Sequence, residues 1–74
     1  MRIDIMKLSA RNQFKGEVVS IKEGAVNAIV GIKIAGGEII TATISMDSVK
    51  NLGLEVGKEA YAVIKATSVM VGVD

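Results

Sequence analysis

Two short stretches near opposite ends of a 74-residue chain hold most of the residues that could bind a small ligand. One is Ser9-Ala10-Arg11-Asn12-Gln13-Phe14-Lys15-Gly16, and the other is Ile64-Lys65-Ala66-Thr67-Ser68-Val69-Met70. Each joins a cation, Arg11 or Lys65, to small hydroxyl residues, Ser9 or Thr67 and Ser68, and neither contains a carboxylate. Such a set offers hydrogen-bond donors and almost no acceptors. That chemistry suits a fully ionised oxyanion, because charge-assisted hydrogen bonds are about twice as strong as neutral ones. The planar guanidinium fork of Arg11 matches the edge of a tetrahedral oxyanion. An isolated arginine before a strand would simply be a solvated charge. Ser9 changes that reading: residues i and i+2 of an extended chain project to the same side, so its hydroxyl and the Arg11 guanidinium can converge on one ligand.

The other candidates carry competing roles. Lys65 stands between Ile64 and Ala66, where a surface lysine snorkelling over apolar neighbours is an equal reading. Ala66 has no side-chain donor, so only its backbone N–H could contribute. Thr67 reads at least as well as a β-branched strand residue facing solvent. Ser45 and Ser48 stand at the start of a helical segment, where at least one should cap. A capped helix start still exposes N–H groups and positive dipole, so it can also meet an anion. Asp47 would be repulsive in such a site and is expected to point outward, where it complements the helix dipole.

These groups need elements to hold them. Gln13–Lys22 is rich in Val and Ile and predicts a strand, ended by a turn at Glu23-Gly24. Val26, Ala28, Val30, Ile32 and Ile34 alternate with Asn27, Ile29, Gly31, Lys33 and Ala35, the period-2 mark of a half-buried strand. Gly36-Gly37 is a two-residue hairpin signal. No helix pattern or Lys-Ser/Thr follows it, so it is not a phosphate loop. A third strand places Ile40, Ala42, Ile44 and Met46 on one face and Thr41, Thr43 and Ser45 on the other. The segment 45–53 changes period, with N-cap candidates at its start and Gly53 as C-cap, and predicts a helix of one or two turns. Gly57-Lys58 is a further turn, and Glu59–Lys65 and Thr67–Val73 predict two last strands. Three strands, a short helix and two strands is the element order of an all-β, OB-like five-stranded small barrel.

The segments Ser-Ala-Arg-Asn-Gln-x-x-Gly at 9–16 and Val-Ile-Lys-x-Thr-x-Val-Met at 63–70 resemble the hallmark stretches of the molybdate-binding Mop, or molbindin, family of single Mop/TOBE-type domains. The resemblance runs from about Met6 to Val73. It implies the same OB-like fold for residues 6–74, with 1–5 as an N-terminal extension or alternative start. Ile3 and Ile5 in that piece fit a short strand or a frayed tail equally well. The resemblance also implies a homohexamer, a trimer of dimers, with molybdate or tungstate bound at subunit interfaces. Ser9, Arg11, Lys65 and the Ala66 amide would come from one subunit, with Ser45 and Ser48 from its neighbour. Some relatives have serine where this chain has Ala66, so that hydroxyl donor is lost here. From the residues alone, the ligand is a dianionic oxyanion. Phosphate keeps a proton at neutral pH, and burying that hydroxyl unpaired in a donor-only site costs roughly 1–3 kcal/mol. The choice of molybdate or tungstate over sulfate follows from the resemblance.

Composition narrows the alternatives. There is no His and no Cys, so no thiolate or imidazole metal site and no disulfide, and no paired carboxylates that read as general acid and base. The chain is therefore expected to be neither an enzyme nor a holder of an organic cofactor. Net charge is +1 without a basic run, and the only aromatics are Phe14 and Tyr61, which argues against nucleic acid as a partner. No apolar run could span a membrane and no signal-peptide pattern is present, which predicts a cytoplasmic protein. Half the residues are hydrophobic, mostly Val, Ile and Ala. A chain this short buries only about 60% of its unfolded surface, so the apolar excess predicts oligomerisation. Storage or homeostasis of the oxyanion is the first reading. An OB-type interaction module for a protein or nucleic-acid partner is the alternative.

Overall fold

The longest strand organises the chain. The computed structural model describes residues 10–74. It contains β1 (Asn12–Glu23), β2 (Asn27–Ile34), β3 (Ile39–Ser45), helix α1 (Met46–Leu52) and β4 (Glu59–Ile64), followed by a 3-10 turn over Ala66–Ser68. The strands form one antiparallel sheet in the order β3-β2-β1-β4, curled into a half-barrel. β1 holds both halves together. Its first part, Asn12–Glu17, pairs with β4, and its later part, Gly16–Glu23, pairs with β2. The two ladders overlap only at Gly16 and Glu17. At Gly16 a Cβ would stand 2.4 Å from the Lys33 carbonyl oxygen, so the close approach of β2 requires glycine there.

A β-bulge between Val18 and Ser20 sets the curl. Val18 pairs with Ile32 and, past the bulge, Ile21 pairs with Val30. Inward residues are thus three apart instead of two, which bends the strand and raises its twist. The inner face continues through Ala28, Val30 and Ile32 of β2, Ile40, Ala42 and Ile44 of β3, and Ala60, Ala62 and Ile64 of β4. Val18 and Val30 are fully buried, and Ala28, Ile32, Ala62 and Val49 complete the core. Val49 comes from α1, which packs over the inner face with Met46 and Leu54 beside it.

α1 forms where the sequence supplies both caps. Ser45 has extended backbone and its hydroxyl accepts from Ser48 N–H, while Gly53 ends the helix at φ 63°, donating back to Lys50 and Val49 carbonyls. Met46, which the sequence reading places both at the end of the third strand and in the helical segment 45–53, is the first helical residue, and its N–H donates to the Val26 carbonyl (2.8 Å). The β2–β3 connection also differs from expectation. Ile34 N–H donates to Glu38 O and Gly37 N–H to Ile34 O, so Ala35–Gly37 form a three-residue loop, and only Gly37 has positive φ. No helix among the described residues is long and apolar enough to cross a membrane.

The expected fifth strand over Thr67–Val73 is absent. Ala66–Ser68 turn as a 3-10 helix, and residues 69–74 pair with no described strand. Val69 itself is extended (φ −90°, ψ 128°). Alternation encodes the conformation of a strand, but a strand forms only against a partner edge. The segment containing Ile3 and Ile5 lies outside the described residues.

The core is small, so single truncations should register strongly. Val18→Ala removes methyl groups from a fully buried site and should cost about 2 kcal/mol or more. Val56→Ala, at 64% exposure, should stay within about 0.5 kcal/mol. Gly53→Ala places a Cβ on a left-handed residue and should cost about 1 kcal/mol. Denaturant unfolding at one fixed protein concentration measures all three.

Candidate functional site

The two donor-rich stretches meet at one corner of the sheet. Asn12 pairs with Ile64 in the β1–β4 ladder, which brings Arg11 alongside Lys65, one position beyond the last pair. Both are exposed. Among the described residues, neither has a carboxylate within ion-pairing distance, and residues 9–16 and 63–73 contain no Asp or Glu. Two cations side by side without a counter-charge repel each other, and a bound anion relieves that repulsion.

Side-chain amides lock this corner. Asn12 Nδ2 donates to the Ile64 carbonyl (3.3 Å), and Gln13 Nε2 donates to the Ala10 carbonyl (3.1 Å). The first ties the start of β1 to the residue before Lys65, and the second fixes the backbone just before Arg11. Sequence reasoning passed over both amides. The available signal was their position, two consecutive carboxamides directly after the arginine.

After Lys65 the chain turns instead of continuing as a strand. Ser68 N–H donates to Lys65 O (2.9 Å) and Val69 N–H to Ala66 O (3.3 Å). The Ala66 and Thr67 amides begin the turn, so neither has a partner within it. The donor expected at Ala66 is therefore a backbone N–H at the mouth of a helical turn, next to Lys65. Thr67 belongs to the same turn and is exposed. Ser9 lies outside the described residues.

Ser45 and Ser48 form a second, separate group. Ser45 Oγ accepts from Ser48 N–H (3.0 Å) and donates to Ser48 Oγ (2.9 Å). Ser45 is thus occupied as the N-cap, while Ser48 keeps its own hydroxyl proton for another acceptor. Both are half-buried and Asp47 between them is exposed. The position of this pair decides what a single chain can do. Ser45 pairs with Asn27, whose neighbour Ala28 pairs with Glu23 at the far end of β1. Arg11 and Lys65 stand at the opposite end of that strand, about 40 Å along its contour at roughly 3.3 Å per residue. One chain therefore brings Arg11, Lys65, Ala66 and Thr67 together and holds Ser45 and Ser48 apart from them.

A shallow depression of about 590 Å³ elsewhere on the sheet is lined by Lys15, Glu17, Lys33 and Glu59, around Gly16 and Gly57. Lys15 Nζ sits 3.1 Å from Glu59 Oε2. A hydrogen bond and the charge of Glu59, with a smaller contribution from Tyr61, raise the Lys15 pKa above its usual 10.5. Carboxylates already balance the lysines there, so this depression suits an anion poorly.

Known proteins resemble this chain in sequence and fold. The TOBE domain profile matches residues 8–71. A probable molybdenum-pterin-binding protein of Haemophilus influenzae is 68% identical over 69 residues, covering 93% of this chain and all of that protein. The structure superposes on apo MopII from Clostridium pasteurianum with a TM-score of 0.86 at 52% identity, covering 90% of this chain and 100% of the other. It also matches the molybdate-bound form of the cytoplasmic molybdate-binding protein ModG (TM-score 0.90, 46% identity), covering 93% of this chain and 49% of that one. With hallmark stretches, half-barrel and near-complete alignment in agreement, the chain belongs to the TOBE-domain family, among the molybdenum-pterin-binding Mop proteins.

Proposed function

We propose that this protein binds molybdate, and tungstate in the same site, for cytoplasmic oxyanion storage or homeostasis. It acts as a binder rather than an enzyme and needs no organic cofactor. Residues 6–74 form the binding domain, and the working unit is a homohexamer. Each site lies between subunits. Ser9, Arg11, Lys65 and the Ala66 amide come from one chain, with Thr67 at the margin, while Ser45 and Ser48 come from a neighbour.

The observation that carries this reading is the separation within one chain. Among the described residues, two cations without a paired carboxylate and a turn amide with no partner inside its turn stand at one end of β1, and a serine hydroxyl with a spare proton stands at the other. Each group alone is half of a donor shell, and only a second copy can supply the complement. The names of the relatives support the ligand class, since they bind molybdenum-pterin or molybdate. The donor-only chemistry supports a dianion without a proton. Arg11 supplies the strongest contacts, because its fork can bond two oxygens together. Lys65 adds a point charge. Asn12 positions both cations through the Ile64 carbonyl.

Three outcomes follow. Competition calorimetry should rank molybdate and tungstate above sulfate, with phosphate weakest. Phosphate bound as tightly as molybdate would reveal an acceptor in the site. Arg11→Ala should weaken molybdate binding at least tenfold, since losing a charged partner buried between subunits, as the proposed site requires, costs about 2–5 kcal/mol and each 1.4 kcal/mol is about a factor of ten. Ser48→Ala should cost less, about 1.5–3 kcal/mol for a hydroxyl bonded to a charged partner.

The sharing of sites is tested by mixing. Hetero-oligomers of Arg11→Ala and Ser48→Ala chains should recover wild-type affinity in a fraction of their sites, because some sites then contain neither substitution. A mixture showing only the two parental affinities places every site within one chain and rules out sharing.

A further inference from the structure

Arg11 stands just outside the sheet that should hold it. β1 begins at Asn12, and the β1–β4 register starts with the Asn12–Ile64 pair. The chain bends at Arg11 itself. One side-chain bond spans that bend: Gln13 Nε2 donates to the Ala10 carbonyl at 3.1 Å. In a fully extended chain residues 10 and 13 would be about 10 Å apart at roughly 3.3 Å per residue, so this bond belongs to the bent form. Gln13 is well placed to hold it. It is half-buried and pairs with Val63 inside the ladder, so its stem is seated before its amide reaches back. The peptide unit is planar, so tying down the Ala10 carbonyl orients the whole Ala10–Arg11 peptide. The Arg11 Cα then lies between two fixed planes, one held by Gln13 and the other leading into the ladder. The direction of its Cα–Cβ bond is set by both.

We propose that Gln13 is a positioning residue of the oxyanion site, clasping the bend at Arg11 so that the guanidinium is aimed before an anion arrives. The proposal rests on the molybdate reading above. Gln13 acts through Arg11 and needs no contact with the anion. The gain is preorganisation: a backbone already ordered loses less freedom on binding. A guanidinium benefits more than an ammonium would, because its planar fork must meet two oxygens together. The residue type fits the task. The Ala10 carbonyl requires a donor, which a glutamate of the same length lacks. A carboxylate there would also place a negative charge in a stretch, 9–16, that has none.

The test uses the full chain and molybdate. Gln13→Met keeps the stem against Val63 and removes the donor, so β-sheet circular dichroism should be unchanged. In the ligand-free protein the order parameter of the Arg11 amide should fall from the rigid range, about 0.85, towards about 0.6. Calorimetry should show molybdate bound about three- to tenfold more weakly, the equivalent of one neutral hydrogen bond. Q13E should lose at least as much. A double-mutant cycle separates aim from general damage. The Q13M loss should persist in a Ser48→Ala background and shrink below about twofold in Arg11→Lys, whose rotatable point charge needs little aiming. Wild-type binding with unchanged affinity in Q13M overturns the positioning role alone. So does an unchanged Arg11 order parameter, or an equal loss in the S48A and R11K backgrounds. A wild-type chain that binds no molybdate overturns the molybdate reading, and the positioning role with it.

Discussion

The structure depends on β1 being one strand that serves two ladders. Its first half belongs to β4 and its second half to β2, and the bulge at Val18–Ser20 turns one into the other. Without the bulge, Val18 and Ile21 would face opposite sides and the core would lose one of them. With it, both point inward and the sheet curls far enough for α1 to press Val49 into the concave face. A core of six small side chains can hold a sheet together only because that curl brings all of them into contact.

The same strand separates the chemistry. Its start carries Arg11 and, through the Asn12 bond to Ile64, holds Lys65 beside it. Its end lies by the Ser45–Ser48 pair. A strand cannot be shortened by side-chain adjustment, so one chain keeps these donor groups apart. Electrostatics favours the same division. Arg11 and Lys65 are open to water in the single chain, and desolvation between two chains, as the proposed site requires, would strengthen their charge-assisted hydrogen bonds. In the proposed shared site, assembly and anion binding would draw on the same geometry.

Apolar surface tells a related story. Ile29 and Ile39 on the outer face, Leu52 after the helix core, and the valines of the tail all remain exposed in the single chain. In a molecule with no disulfide and so small a core, that much uncovered apolar area favours self-association.

Much of this was legible from the sequence. Alternation located β2 and β3, because residues on a half-buried sheet face two different surroundings. The Ser45–Gly53 caps located α1, because cap chemistry is local. The donor-only composition around Arg11 and Lys65, and the hallmark stretches, pointed to an oxyanion and to the Mop family. Tertiary structure decided the rest. The bulge in β1 is invisible to a period-2 reading, since Val18, Val19 and Ile21 are all apolar and only pairing selects which two go inside. The fifth strand failed because its alternation is intrinsic while its partner is not: no edge of the described chain receives Val69–Val73. The roles of Asn12 and Gln13 required knowing which carbonyls lie within reach. The distance between Arg11 and Ser48 required the register of three strands. Sequence determines what each segment can do alone, and long-range pairing decides which segments act together.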